Sequence, residues 1–160
     1  MLQGLFSLIV GGAAIYISAY SSAQTAALGG GMLLTDYLGF SVFGAGLFIE
    51  SISDWQLDRH IANPDPNKGK FCKTGLWSYT RHPNYFGENL AWWGLYIVAC
   101  SLPRGYLTIF APAMITWLLT SLSGVPLLEK KQSKHPEWEA YASVTTSSYV
   151  PWFQSKPKSQ

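Results

Sequence analysis

What most constrains this chain is where it carries no charge. From Met1 to Thr35, and again from Gly105 to Leu128, there is no Asp, Glu, Lys or Arg. Each stretch exceeds the ~20 residues that carry a helix across the hydrocarbon core of a bilayer. Between them lie two shorter apolar runs, 37–49 and 89–103, bounded by the carboxylates Glu50 and Glu88. Carried past those carboxylates, both reach spanning length. The pattern predicts an all-α, multi-pass transmembrane bundle of about four helices, with spans near 2–20, 36–54, 84–102 and 106–126. Charged residues are 12% of the 160-residue chain, about half the roughly 25% of a typical soluble domain. The net charge of +2 is too small to argue for a nucleic-acid partner. The expected partner is the lipid bilayer, and the chain reads as a single membrane domain, 1–160.

The basic residues orient this bundle. Five of the eleven (Arg59, Lys68, Lys70, Lys73, Arg81) fall between the second and third spans, and five (Lys130, Lys131, Lys134, Lys156, Lys158) follow the fourth. Arg104 stands apart. Basic residues in short loops favour the cytoplasmic face. The loop 55–83, the tail 127–160 and both termini are therefore expected to be cytoplasmic, in the endoplasmic reticulum of a eukaryote or the inner membrane of a bacterium. The apolar start is not read as a secretory leader, because no Lys or Arg precedes it. Cys72 and Cys100 match no metal or redox spacing, so one loop thiol and one packed thiol are expected. No second His or Cys stands at ligand spacing to His82, so no metal site is expected.

Small residues mark helix contacts: Gly11-Gly12-Ala13-Ala14 in the first span, and Gly39, Gly44, Ala45 and Gly46 in the second. Pro83 suits the first turn of a helix. Ser123-Gly124-Val125-Pro126 should bend or stop the fourth span. The stretch around Glu137-Trp138-Glu139-Ala140-Tyr141 is expected to form a C-terminal amphipathic helix on the membrane surface.

Polar side chains at membrane depth are costly, roughly 2.5–3.5 kcal/mol for a charge at a helix centre. Glu50 and Glu88 therefore stand out, although each could reach water at the interface. Arg81-His82-Pro83-Asn84-Tyr85 with Glu88 stands out more. It gathers a cation, an imidazole, an amide, a phenol and a carboxylate at one helix entrance. Arg81 can grip a phosphate or carboxylate, and Asn84 offers donor and acceptor to an amide partner. The structural alternative is an interfacial anchor, with Arg81 on lipid phosphates and Tyr85 and Trp77 in the aromatic belt. Such a belt does not require Asn and Glu one turn apart inside the helix. Glu129, just past Pro126, could turn back into the bundle.

Gly75-Leu76-Trp77-Ser78-Tyr79-Thr80-Arg81-His82-Pro83-Asn84-Tyr85-Phe86-Gly87-Glu88, followed by Trp92-Trp93-Gly94, resembles the signature of membrane proteins with a steroid 5-alpha-reductase C-terminal-like domain. Glu50-x-x-x-Asp54-x-Gln56, Ser123 to Lys130 and Tyr149-Val150-Pro151-Trp152 resemble that family too. The resemblance implies an NADPH-dependent reductase of a carbon–carbon double bond conjugated to a carbonyl, on a hydrophobic lipid or steroid-like substrate. It implies that Asn84 and Glu88 hold the cofactor near its nicotinamide, with Asp54 near its polar part and Arg81 on phosphate. Longer members carry further N-terminal helices holding the residues that polarise the substrate carbonyl. The chain is therefore expected to be a shortened form, or one with a differently built substrate site, and its catalytic residues stay unassigned. Isoprenylcysteine carboxyl methyltransferases and phospholipid methyltransferases are similar in architecture. Arg81-His82-Pro83, Tyr85, Gly87 and Glu129 also fit their S-adenosylmethionine pocket. A non-catalytic shortened relative is the third alternative.

Overall fold

The computed structural model describes residues 11–27, 31–63, 69–145 and 147–150. Six α-helices are described: α1 (Gly12–Ala27), α2 (Leu34–Ala62), α3 (Pro83–Ala99), α4 (Phe110–Trp117), α5 (Val125–Gln132) and α6 (Trp138–Val144). A 3-10 turn covers Gly75–Ser78, another leads into α4 at Gly105–Ile109, and a π-helical turn at Leu118–Leu122 follows it. No strand occurs among the described residues.

Among those residues one helical stretch, Gly105–Gln132, is long and apolar enough to cross a membrane. It contains the fourth expected span and bends where expected. The π-helical turn gives way to a break at Ser123-Gly124, and α5 restarts with Pro126 in its first turn, where a missing N–H costs nothing. Gly124 is required there, since a Cβ would lie 2.5 Å from the Leu119 carbonyl oxygen. The second expected span ends at 54, but α2 runs on to Ala62. The apolar run sets the length that suits lipid, whereas helical hydrogen bonding persists until Pro64 disfavours a helical Asn63. The first ten residues, residues 28–30, loop residues 64–68 and the Pro151-Trp152 ending lie outside the described residues.

The chain divides into two compact units. The first comprises Met1–Leu47 and Asn89–Trp117. Within it α2 and α3 approach backbone to backbone at two glycines. A Cβ on Gly39 would sit 2.5 Å from Val98 Cγ2, and one on Gly94 would sit 2.4 Å from the Phe43 nitrogen. Close approach through small residues is how helices gain contact where lipid removes the hydrophobic drive. One hydroxyl, Thr116 Oγ1, meets three groups: it stands 2.8 Å from two acceptors, Asn89 Oδ1 and the Pro112 carbonyl, and accepts from Trp93 Nε1 at 3.2 Å. Large apolar side chains face outward, among them Leu34 (73% exposed), Tyr37, Leu38 and Phe40 on α2 and Phe110 and Trp117 on α4. A contiguous apolar surface marks contact with a bilayer or a protein partner.

The second unit comprises Phe48–Glu88 and Leu118–Gln160. Its buried ring system seats Phe71 on Tyr141, with centroids 4.7 Å apart and planes 4° apart. Trp138 meets Phe71 edge-on at 5.6 Å. Buried Trp77 donates its indole N–H to the Ser53 carbonyl at 2.9 Å. Gln56 Oε1 accepts the Leu76 N–H at 2.9 Å. The loop carbonyls of Ser147 and Tyr149 accept from the Arg81 N–H and the Thr80 hydroxyl, both at 3.0 Å. The cysteine expectation is reversed in detail: Cys72, in the loop, is buried at 3% exposure, and Cys100, at the end of α3, is exposed. The aromatic cluster covers the loop around Cys72, whereas α3 ends at Ala99 and carries Cys100 out of its packed face.

Candidate functional site

The polar residues singled out from the sequence, apart from those on outer surfaces, gather in the second unit in two sets. The first is a latch. Pro83 starts α3, which leaves Arg81 and His82 immediately before its first turn. Arg81 Nε donates to Glu129 Oε1 at 2.7 Å, and Arg81 Nη1 donates to the Thr145 carbonyl at 2.6 Å. The guanidinium also lies over the Trp138 ring, 5.6 Å from its centroid. His82 is 1% exposed, and its Nε2 stands 3.3 Å from the same Glu129 Oε1. Its imidazole stacks on Tyr85 at 5.5 Å.

Glu129 therefore does turn back, since the restart of α5 after Gly124 aims it at the start of α3. Burial holds the His82 pKa below its usual range. Arg81 adds to that, and the Glu129 carboxylate opposes it. The imidazole is thus neutral near pH 7, with its Nε2–H available to Glu129. Burial also raises the Tyr141 hydroxyl well above the ordinary phenol range, with Arg81 opposing. Tyr141 stays a neutral donor. Arg81, expected to grip an anion of a cofactor, spends its charge on Glu129 and on a backbone carbonyl. Sequence spacing could not reveal this, because 48 residues separate the partners.

The second set is an acceptor array. Glu50, Asp54 and Glu88 stand within electrostatic reach of one another, and Tyr85 stands within reach of Asp54 and Glu88. No ion pair to any of the three carboxylates occurs among the described residues. Among the described residues Asn84 Oδ1, in the first turn of α3, is buried without a hydrogen-bond partner. An unmet buried acceptor costs about 1–3 kcal/mol, so such an atom calls for a donor from outside the protein. Carboxylates, an amide oxygen and a phenol together offer many acceptors and few donors, which suits a ligand rich in N–H and O–H groups.

Sequence reasoning missed the carbonyl of Thr145 and the ring of Trp138, both supplied by α6 and its flank. It also missed a cavity of about 650 Å³ in the second unit, lined partly by Trp55, Gln56, Arg59 and His60 of α2 and by Asn63 just after it. The spacing of Trp55, Gln56, Arg59 and His60 on one helix face is the signal that could have found it.

The fold and site define an all-helical protein with an apolar stretch of spanning length and, in one unit, a buried polar site. Residues 1–145 match the profile of a family described as a protein of unknown function, DUF1295. The chain belongs to that family, which is steroid 5-alpha-reductase-like. It is also similar to a protein of Ustilaginoidea virens named probable O-methyltransferase ustE, at 30% identity over 136 residues. That similarity covers 83% of this chain and 46% of the relative, so the chain spans about half the length of the curated relative it matches. No solved structure matches.

Proposed function

We propose that the chain is a multi-pass membrane reductase that binds NADPH at the acceptor array and reduces a lipid-soluble enone. The observation that carries this reading is Asn84 Oδ1, buried without a partner on the same helix as Glu88. A nicotinamide carboxamide presents an N–H₂ donor to such an oxygen and a carbonyl to the Asn84 amide, a two-point match. Asp54 and Glu50 on α2 would accept from ribose hydroxyls. Bound there, the cofactor would supply a hydride. The protein's part is to fix its orientation and to exclude water.

The latch serves this site indirectly. By holding Arg81 and His82, Glu129 fixes the start of α3 and with it the orientation of Asn84 and Glu88. Membership of a steroid 5-alpha-reductase-like family supports the same chemistry. The bundle would lie with the 55–83 loop and both termini in the cytoplasm. Labelling of a cysteine placed at Arg104 from the cytoplasmic side would reject that orientation.

The test is titration of NADPH fluorescence with the detergent-purified chain. Asn84→Ala and Glu88→Gln should each weaken binding about tenfold, the equivalent of one lost hydrogen bond that leaves a buried group unmet. Binding equal to the parent's in both folded variants would reject the site.

A second reading, methyl transfer from S-adenosylmethionine, is favoured by one observation. With Arg81 engaged by Glu129, the open groups of the array are carboxylates, which attract a sulfonium and an ammonium group. The name of the Ustilaginoidea virens relative agrees with it. Under this reading Asn84→Ala should leave NADPH without effect in either protein and weaken S-adenosylmethionine binding.

A further inference from the structure

The cavity on α2 is separate in its lining from the acceptor array: neither Asn84, Glu88 nor Asp54 borders it. Its chemistry is opposite in sign. Arg59, His60 and Lys73 line it, and among the described residues no Asp or Glu does. Among the described residues neither Arg59 nor Lys73 has a carboxylate partner. Cations in the last turn of a helix ordinarily answer its terminal carbonyls, and here other groups do part of that work. Asn63 Nδ2 donates to the Arg59 carbonyl at 3.0 Å. The Arg59 guanidinium instead leans back one turn over the Trp55 ring, 5.4 Å from its centroid. That placement sets it over the ring and, among the described residues, leaves its in-plane N–H groups to a planar or tetrahedral oxyanion.

The opposite wall comes from the loop, and it is held in place. His60 Nε2 meets the Lys70 carbonyl at 3.3 Å, and Gln56 Oε1 takes the Leu76 N–H at 2.9 Å. Gly75 follows at φ +62, with the Gln56 amide within 2.4–2.6 Å of where a Cβ would stand. Any side chain there would be strained at that φ and would displace the Gln56 amide that holds the loop. The loop between these two anchors brings Phe71, Lys73 and Thr74 to the cavity. The result is a preformed pocket with two aromatic walls and a cationic rim.

We propose that this pocket recognises a phosphate ester. It lies on the segment carrying one of the two clusters of basic residues, where a headgroup phosphate of a bilayer lipid or a soluble phosphate compound could reach it. Basic pockets at that level of a membrane protein bind anionic headgroups. The inference does not rest on the reductase reading, since it uses none of the same side chains.

The experiment uses the full chain in phosphatidylcholine nanodiscs. One arm titrates inorganic pyrophosphate by calorimetry. The other measures, by native mass spectrometry, enrichment of phosphatidic acid over phosphatidylcholine on the protein. The parent should bind at least one probe. The double variant Arg59→Gln, Lys73→Gln should lose it roughly tenfold or more, and Lys131→Gln, outside the cavity, should not. Pyrophosphate alone supports a soluble source, phosphatidic acid alone a lipid, and both support recognition of the phosphate group itself. No binding of either by the parent overturns the proposal, as does undiminished binding by the double variant. If that variant does not fold, Lys73→Gln alone decides, because its side chain is exposed, and undiminished binding again overturns it.

Discussion

The two units of this chain are held together by different physics. Of its twenty charged side chains (eleven basic, nine acidic), only Asp36 and Arg104 belong to the first unit and the other eighteen to the second. The first unit coheres where backbones touch at Gly39 and Gly94, with one hydroxyl relay inside it. The second coheres through a buried cation, its carboxylate and stacked rings, and it leaves an amide oxygen unmet. The contrast teaches where chemistry can sit. The first unit, held by backbone contact and the hydrogen bonds of Thr116, offers a scaffold. The second, which carries eighteen of the charged side chains and buries an ion pair, offers a site.

That contrast can be broken from either side. Gly94→Leu should be the most damaging single change, costing more than about 3 kcal/mol, because even its Cβ would stand 2.4 Å from backbone of α2. Unfolding in detergent with mixed micelles measures it. Glu129→Ala should come next, at about 2–3 kcal/mol, since it strands the Arg81 guanidinium at 9% exposure. Glu129→Gln keeps an acceptor for Arg81 Nε and should cost less. Trp77→Phe removes the donor to the Ser53 carbonyl and leaves a void where the larger indole was buried, for about 2 kcal/mol in all. Thr116→Val in the first unit should cost roughly 0.6 kcal/mol, as interhelical hydrogen bonds in membranes typically do. A Thr116→Val cost above that of Glu129→Ala would erase the distinction between the units.

The second unit should also carry a pH signature. His82 is held below its ordinary pKa of 6.5 in the folded chain, so the unfolded chain binds the proton more readily. Stability is then full above about pH 6.5 and falls as pH drops through that value, levelling off below the folded pKa. His82→Gln should flatten that slope in unfolding curves taken across the window.

Much of this was legible in the sequence, and the reason lies in which groups are neighbours along the chain. Pro83 as a helix start and the break at Ser123-Gly124 are local chemistry, and both appear where expected. Asn84 and Glu88 stand one turn apart, and Tyr85 comes within electrostatic reach of Glu88, because all three lie in the first turns of one helix. The partner of Arg81 was not legible, since Glu129 and the Thr145 carbonyl reach it only after the chain folds back. The end of α2 at Ala62 was not legible, because hydropathy reports the lipid-compatible part of a helix, not where its hydrogen bonds stop. The burial of Cys72 follows from the Phe71–Tyr141 stack, which no spacing rule connects across the intervening residues.

The central claim is that the second unit holds a nicotinamide cofactor through Asn84 and Glu88. Its most direct test is the thermal unfolding midpoint of the purified chain with NADPH and, separately, with S-adenosylmethionine. The account predicts stabilisation by NADPH alone in the parent and none in Asn84→Ala. Stabilisation by S-adenosylmethionine alone, or no shift with either from a folded sample, would contradict it.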